Sequence, residues 1–492
     1  MSRLSGRKAG LAVLSGILAA LAMPGFGFGP LVFFALVPLF FALEGRRRFT
    51  YGILFGTAFF AVDMRWVLTL YRFTPLVVPG FILLVLYLSL FFGLFGVFIA
   101  PSRESRTPGA LLLLGAPAVF ALLEVARAQG PLGSGFSALY QSLYRIPQLI
   151  QVASTLGPWA ITALVVATNV AIYLAIRRKR PAYLVVGAGV VGVLAAFSLL
   201  PVPAATGNAI DVAAVSSNVK QETKLDARNL PALTERYLDL GRIALEEGPQ
   251  LVVFPESFLP AYILRSETSL GHLQALASDG QIQVLFGTGD YRDRKIFNTV
   301  ALLSPDGTLV GTYAMVRPVP FGEYVPGRRL WERIGLGRLV DSFLPVDLTP
   351  GDRFAPIGGI GTPICFESTF PGPARQFARN GAEVLVVVTN DAWFAGSSEL
   401  EAHFAAAVFR AVETRRYLVQ AANGGVTGIV DPRGTVLAET GREEVVRGTV
   451  FLRDDRTLYS RFGNLPLLSL LGIAAVVFVS KRLRGHGTRN GG

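Results

Sequence analysis

Three short apolar runs in the chain each end in polar side chains that could carry out chemistry. These are 251–254 before Pro255-Glu256-Ser257, 360–364 before Cys365-Phe366-Glu367, and 384–388 before Thr389-Asn390-Asp391. In α/β sheets, reactive side chains gather beyond the carboxyl ends of the strands. A cysteine acts as a nucleophile when a base takes its proton and nearby donors hold the oxyanion. Cys365 is therefore a candidate nucleophile, with Glu256 as its base.

The same residues also have ordinary structural interpretations. Cys365 is the only cysteine, so no intrachain disulfide forms, and a lone cysteine is most often a small buried apolar residue. Glu256 follows a proline and is equally typical of the first turn of a helix. His403 lies in a helical pattern and is interpreted as a packing residue, because no second ligand has the spacing of a metal site. We expect no metal, nucleotide or redox cofactor, since no motif for one is present.

Strands and helices alternate around these clusters. The pattern predicts strands at 210–215, 251–254, 283–286 and 384–388, helices at 232–246 and 399–415, and a hairpin of 297–303 with 309–314. Such alternation favours a layered αββα sandwich, and about 250 residues are enough for its core. We predict an α/β catalytic domain over residues 206–456.

The composition excludes an ordinary cytosolic enzyme. Of 492 residues, 51% are apolar and only 16% are charged, whereas soluble domains average about 25% charged. The net charge of +12 is unevenly placed: residues 1–205 hold sixteen basic and four acidic residues, 206–456 hold 25 and 30, and 457–492 hold five and none. Because the positive excess lies beside apolar runs, it indicates a membrane protein and no nucleic-acid partner.

Eight apolar runs are candidate membrane spans, since about 20 such residues cross a bilayer. They lie at 9–23, 30–43, 53–71, 77–99, 109–127, 157–176, 182–200 and 464–480. The chain is thus predicted to have seven spans in residues 1–205 and an eighth, with a basic tail, in 457–492.

Basic clusters fall in alternate loops of this arrangement and give its orientation. They are Arg3, Arg7 and Lys8; Arg46-Arg47-Arg48; Arg103 and Arg106; Arg177-Arg178-Lys179-Arg180; and Lys481, Arg482 and Arg484. Positive residues mark the cytoplasmic side. We therefore place the connection 201–463 on the outer face.

Four ionisable residues fall inside or at the ends of the spans, namely Asp63, Arg65, Glu124 and Arg127. Such residues invite functional interpretations. We favour the simpler one, that they lie near span ends or pair with each other. The outer segment 128–156 is amphipathic enough to line an entrance from the lipid.

Four motifs, in order, resemble the carbon-nitrogen hydrolase (nitrilase) superfamily. They are Phe254-Pro-Glu-Ser257, Val319-Pro-Phe-Gly-Glu323-Tyr-Val-Pro326, Pro363-Ile-Cys365-Phe-Glu367 and Thr389-Asn-Asp-Ala-Trp-Phe394. With spans on both sides, the whole chain is similar to the membrane-bound lipoprotein N-acyltransferases of that superfamily. The resemblance implies a multi-span helical membrane protein that carries a nitrilase-like αββα domain outside the cytoplasm, in the bacterial inner membrane.

The resemblance also implies a Glu-Lys-Cys triad and a ping-pong reaction. A membrane phospholipid would give its acyl chain to Cys365 as a thioester, and the free α-amine of a diacylglyceryl-cysteine lipoprotein would take it. Glu256 would be the acid and base, Glu323 and Glu367 would support the site, and donors near Phe366 would hold the oxyanion. Asn390, Trp393 and Phe394 would contact substrate. A monomer is the default expectation.

One position departs from the family pattern, which places the catalytic lysine eight residues before Glu323, where this chain has Met315. A thioether carries no charge and no N–H donor for an oxyanion. Arg317 would lie on the same face if this segment were a strand, and its longer side chain could replace the lysine. The alternative explanations of Met315 are a substituted or natural variant with weakened chemistry, or a relative that binds lipid without turnover. A membrane-tethered amidase is a competing function for the whole chain. Leu225, where the family carries an aromatic residue, is a second departure.

Overall fold

The structure, a computed structural model, describes residues 5–44, 46–99, 109–205, 207–440 and 444–487, with the side chains of 482–487 left out. Arg3, Arg103 and Arg106 lie outside the described residues, as do the side chains of Arg482 and Arg484. The orientation that rests partly on them stays a prediction.

Nineteen α-helices occur in the described residues. They are α1 Gly6–Leu21, α2 Val32–Ala35, α3 Val37–Ala42, α4 Arg48–Asp63, α5 Val77–Ile99, α6 Gly109–Arg127, α7 Pro147–Ile150, α8 Ala153–Leu156, α9 Trp159–Arg178, α10 Ala182–Ala196, α11 Gln221–Leu225, α12 Leu230–Leu245, α13 Glu267–Gly280, α14 Arg328–Arg333, α15 Gly337–Phe343, α16 Pro371–Arg379, α17 Glu399–Thr414, α18 Leu458–Phe462 and α19 Leu465–Gly487.

Eleven strands occur in the described residues, and they form two sheets. They are β1 Ala209–Val215, β2 Leu251–Val253, β3 Gln283–Arg292, β4 Lys295–Leu303, β5 Leu309–Ala314, β6 Ile360–Gly361, β7 Val384–Asn390, β8 Leu418–Asn423, β9 Gly428–Val430, β10 Val436–Glu439 and β11 Val445–Phe451. The first sheet has the order β11-β1-β2-β3-β4-β5 and the second β10-β9-β8-β7-β6. The parallel strands β1-β2-β3 are flanked on both sides by antiparallel strands, whereas the parallel strands β6-β7-β8 have an antiparallel neighbour only next to β8, because β6 is an edge strand.

The central strands are buried on both faces, as apolar runs without alternation predict. On β2, Val252 belongs to the core that α12 and α13 cover, while Leu251 and Val253 belong to the core shared with the second sheet. Neighbouring side chains of a strand point to opposite faces, so one short run serves both layers. The αββα prediction is confirmed, as is the antiparallel hairpin of β4 with β5.

Five helical stretches in the described residues are long and apolar enough to cross a membrane. They are Arg48–Arg72, Val77–Ile99, Gly109–Arg127, Trp159–Arg178 and Ala182–Leu199, and Gly29–Ala42 and Leu465–Lys481 are shorter apolar helices. The chain thus carries several apolar helices in its N-terminal region. The count of eight spans stays a prediction.

Small residues bring α4 and α5 into close contact. A Cβ added at Gly52 would lie 2.0 Å from the carbonyl oxygen of Phe92, and one at Gly96 would lie 2.4 Å from that of Arg48. Such close backbone approach is typical of helix pairs in membranes, where van der Waals packing stabilises association. Gly52 and Gly96 are therefore needed for this packing.

Two of the ionisable residues in the apolar region, Glu124 and Arg127, lie in the last turn of α6 and hydrogen-bond to the outer segment 128–156. Glu124 accepts hydrogen bonds from the backbone N–H of Leu139 at 2.9 Å and from the Thr162 hydroxyl at 2.7 Å. Arg127 donates to the carbonyls of Phe136 and Ser137 at 2.8 and 3.0 Å. These bonds fix the loop that faces the sandwich.

Arg415 joins the outer segment to the sandwich. Its buried guanidinium donates to Gln151 Oε1 and the Pro432 carbonyl, both at 2.7 Å, and to Ser154 Oγ at 3.0 Å. A buried cation is tolerated when its donors are satisfied in this way. The contact fixes α7 and α8 against the end of α17.

We expect Arg415→Met to destabilise the protein by about 2–4 kcal/mol, because three buried acceptors lose a charged donor. The midpoint of thermal unfolding in detergent measures the effect. Arg242→Met on α12 is the matched control, since the Arg242 side chain is 68% exposed and exposed ion pairs contribute little. Equal midpoints for the two variants would contradict the assigned role of Arg415.

Candidate active site

The carboxyl ends of β2, β6 and β7 meet between the two sheets. Ile364, just after β6, bridges to Val388 of β7. The backbone N–H of Asn390, the last residue of β7, donates to Glu256 Oε2 at 2.8 Å. Cys365 follows Ile364 directly. The three polar clusters found in the sequence therefore form one site.

Glu256 is buried and held at both carboxylate oxygens. Oε2 accepts from Asn390, and Oε1 accepts from Asn298 Nδ2 at 2.6 Å. Burial raises the pKa of Glu256, and hydrogen bonds from Asn298 and the neighbouring Cys365 partly oppose the rise. A carboxyl group with a raised pKa suits both the uptake and the return of a proton near neutral pH.

Asn298, in β4, links two carboxyl groups through one amide. Its Nδ2 also donates to Glu323 Oε1 at 3.0 Å and lies 3.8 Å from the Met315 sulfur. Glu323 Oε2 accepts from the Val319 N–H at 2.7 Å. Burial first, and then the Glu256 carboxylate, raise the pKa of Glu323 to about 7. Ionisation of either carboxyl group, Glu256 or Glu323, therefore disfavours ionisation of the other.

Glu367 connects the Cys365 segment with the end of the β4–β5 hairpin. Its fully buried carboxylate accepts from the backbone N–H groups of Val316, Arg317 and Ile364 at 2.8 to 3.0 Å. The Tyr313 hydroxyl lies 2.9 Å from both carboxylate oxygens. Burial raises the pKa of Glu367 to about 7. These contacts indicate that Glu367 fixes the backbone just before Cys365 and the backbone at the end of the hairpin.

Cys365 starts a 3-10 helix, Cys365–Thr369, in a left-handed conformation with φ of +46°. Residues other than glycine pay about 1–3 kcal/mol for such a conformation, which persists only when the surroundings hold it. The Cys365 carbonyl accepts from Ser368 Oγ and His403 Nε2, both at 2.9 Å. Burial and the Glu256 carboxylate raise the pKa of the Cys365 thiol well above its usual range.

His403 lies behind the nucleophile with two carboxylates. Its Nδ1 is 2.9 Å from Asp391 Oδ1 and 3.7 Å from Glu399 Oε1, and one ligand atom from each of these residues lies within 4.8 Å of the others. The expectation that no second ligand has suitable spacing is wrong, because Glu399 is one helical turn before His403 and the end of β7 adds Asp391. Burial alone would lower the pKa of His403, but Asp391 raises it to about 9. The imidazolium then donates to both Asp391 and the Cys365 carbonyl.

Met315 is buried beside Asn298, at the end of the hairpin. Its backbone N–H donates to the Asn298 carbonyl at 2.8 Å, and its side chain is 2% exposed.

The strand β5 ends at Ala314, so the same-face argument for Arg317 does not hold. Arg317 donates to the Ala128 carbonyl at 2.9 Å and lies 3.5 Å from the centre of the Phe370 ring. That Arg317 takes the role of the family's catalytic lysine stays a hypothesis.

The rings of Trp393 and Phe394 contact aromatic residues of the helical region. The Trp393 ring lies 4.9 Å from that of Phe73, and the Phe394 ring lies 4.9 Å from that of Trp66. Arg72 donates to the Trp393 carbonyl at 2.9 Å. These two residues thus fasten the loop after β7 to the helices.

A cavity of about 620 Å³ separates the outer segment from the sandwich next to Cys365. It is lined by Gly130, Pro131 and Gly133 on one side and by Val316, Arg317, Tyr324 and Phe366 on the other. Val316 follows Met315 and Phe366 follows Cys365, so the cavity borders the residues of the site. Its walls are mostly apolar, with Arg317 as a cation.

Sequence reasoning missed Asn298, Tyr313 and the contact of His403 with the Cys365 carbonyl. Asn298 interrupts the apolar run 297–303, and a polar residue in a buried strand was the available signal. Tyr313 gives no comparable signal, since aromatic residues are common in strands. The His403 contact depends on the approach of α17 to the Cys365 segment, which spacing along the chain does not show.

Known families match both parts of the chain. The family model described as carbon-nitrogen hydrolase matches residues 212–452, and that of the apolipoprotein N-acyltransferase N-terminal domain matches residues 15–171. The apolipoprotein N-acyltransferase of Geobacter metallireducens is 34% identical over 95% of this chain and 94% of its own length. This chain belongs to the apolipoprotein N-acyltransferase family. The Thermotoga maritima protein of that name is 31% identical over 97% of this chain and 94% of its own length.

Family membership confirms the superfamily resemblance and the enzyme class. The chain is an acyltransferase of the carbon-nitrogen hydrolase superfamily and has a membrane character. Among solved structures, an amidase from Nesterenkonia sp. is 21% identical, with a TM-score of 0.39, over 55% of this chain and 97% of its own.

We expect Glu323→Gln to shift the acid limb of the rate–pH profile to lower pH. Glutamine keeps an oxygen for Asn298 but removes the negative charge that raises the pKa of Glu256, so Glu256 ionises at lower pH and acts as a base there. Acylation rates from pH 5 to 9 measure the shift. Asp239→Asn on α12 removes a distant, exposed carboxylate as the control. An acid limb unchanged from the wild type would contradict the coupling.

Proposed function

We propose that the protein transfers an acyl chain from a membrane phospholipid to the N-terminal α-amine of diacylglyceryl-cysteine lipoproteins. Membership in the apolipoprotein N-acyltransferase family supports the acceptor class. The observation that carries the mechanism is the pairing of Cys365 with a buried Glu256 beside a mostly apolar cavity. The acyl chain passes through a thioester on Cys365.

In the first half-reaction, Glu256 takes the proton from the Cys365 thiol while the sulfur attacks the ester carbonyl. The tetrahedral intermediate then expels the lysophospholipid alkoxide, which takes the proton back from Glu256. The thioester forms as the ester C–O bond breaks, and the proton count is unchanged. The raised pKa values of the thiol and Glu256 fit transfer during attack rather than a preformed thiolate.

In the second half-reaction, the neutral lipoprotein α-amine attacks the thioester. Glu256 takes a proton from the amine, the C–S bond breaks, and the Cys365 sulfur leaves and regains that proton. The products are an amide and the free thiol. Backbone N–H groups near Cys365 and Phe366 hold the oxyanion in both steps.

The cavity next to Phe366 supports entry of substrate from the lipid side. Apolar walls and the closely packed outer segment exclude water, so that the thioester waits for an amine rather than hydrolysing. In this proposal the sandwich faces the outer side of the bacterial inner membrane, and the enzyme acts as a monomer. Asn390 orients Glu256, while Phe366 borders the acyl path.

Met315 favours the second candidate, a relative that binds lipid without turnover. Loss of an oxyanion donor lowers rates by about 10²–10³. The retained Glu256, Asn298, Glu367 and Cys365 favour turnover, since a binding protein needs no strained thiol beside a buried base. The amidase alternative has no use for the apolar helices against which the site is built.

After incubation with phospholipid, we expect intact-protein mass spectrometry to show one acyl group on wild-type protein. A diacylated lipopeptide with a free α-amine should remove the group and become triacylated. Cys365→Ala should gain no mass, because the chain has no other thiol.

The same lipopeptide with an acetylated α-amine is the matched control and should leave the acyl group in place. Absence of an adduct on Cys365 with phospholipids of several head groups would contradict the proposal and favour the lipid-binding candidate.

A further inference from the structure

Lys224 places an ammonium group beside Glu256. The residue lies in the short helix α11, is 5% exposed, and directs its Nζ to 3.5 Å from the Glu256 carbonyl oxygen. No lysine or arginine in the described residues forms an ion pair with Glu256, Glu323 or Glu367 by side-chain contact. The Lys224 charge acts on Glu256 and lowers its pKa.

The helix that carries Lys224 is tied to the site. Gln221, one turn earlier, accepts from Asn390 Nδ2 at 2.9 Å, and the Asn390 backbone N–H in turn binds Glu256. Burial lowers the pKa of Lys224 to about 8, so the group is still mostly protonated at pH 7. The position of the ammonium is therefore set by the same residues that hold the base.

The site needs such a cation because most of its other charged groups are acidic, and the His403 imidazolium is paired with Asp391. Glu323 and Asp391 both disfavour negative charge on Glu256. The Met315 thioether, buried beside Asn298, carries no charge to oppose them. Without a cation, the pKa of Glu256 would rise further, and less of the carboxyl group would be ionised to take the thiol proton.

We propose that Lys224 is the charge-setting residue of this site, whose ammonium favours the ionised form of Glu256 in place of a cation at position 315. The inference rests on the proposed role of Glu256 as the base. Lys224 acts through Glu256 and is thus a positioning residue. Removal of its charge should therefore shift the pH at which the site becomes active, whereas a purely structural role would change only the rate.

The test is the pH profile of the acylation burst with p-nitrophenyl butyrate, read as released p-nitrophenol. This soluble ester needs neither phospholipid nor lipopeptide, so a protein that fails to use them still reports on Lys224. We expect Lys224→Met to move the acid limb up by about one pH unit or more and Lys224→Arg to leave it near the wild-type position. Lys220→Met, at an exposed position before the same helix, is the matched control and should not move the limb.

A second variant separates charge from structure. Met315→Lys added to Lys224→Met should return the acid limb to lower pH, because it restores one cation. A slower burst with an unmoved limb, or a limb that Met315→Lys does not return, would overturn the proposal. If Lys224→Met fails to fold, Lys224→Gln decides: a limb at higher pH than that of the wild type supports the proposal, and an unchanged limb overturns it.

Discussion

Negative charge is crowded into a buried site between the two sheets, and this crowding governs the chemistry of the enzyme. Glu256 and Glu367 are buried and Glu323 is half-buried near one thiol, and each of the three has a raised pKa. Unpaired buried charges are costly, so the site distributes hydrogen-bond donors among them. Asn298 is shared by Glu256 and Glu323, backbone N–H groups serve Glu367, and Lys224 supplies positive charge.

The scaffold makes this arrangement possible by bringing strand ends from both sheets together. β2 delivers Glu256, β6 and β7 deliver Cys365 and Asn390, and the hairpin end delivers Met315. Glu367 then locks the hairpin end to the Cys365 segment through backbone bonds. The helical region closes the remaining side, and the cavity lies at this junction, lined by Gly130 and Gly133 on one side and by Phe366 on the other.

Much of this architecture could be predicted from the sequence. Apolar runs of four to eight residues predict buried strands, and the order of four motifs indicated the residues that meet. Local patterns could not show where Arg317 points, because the strand ends at Ala314 and the guanidinium finds a partner in Ala128. They also missed Asn298 and the His403 cluster, since both arise from contacts between distant elements. Lys224 directly precedes Leu225, one of the departures from the family pattern, but its burial against Glu256 is visible only in the fold.

The central claim is that Cys365 rests as a neutral thiol and loses its proton to Glu256 only during attack. The alkylation rate of Cys365 by iodoacetamide, followed against pH, tests it most directly, because the chain has a single cysteine. The account predicts slow alkylation at pH 7 and a rise only at a higher pH than that at which a free cysteine ionises, since burial and Glu256 raise the pKa of the thiol. Rapid alkylation that is already constant between pH 6 and 8 would reveal a resident thiolate and contradict the account.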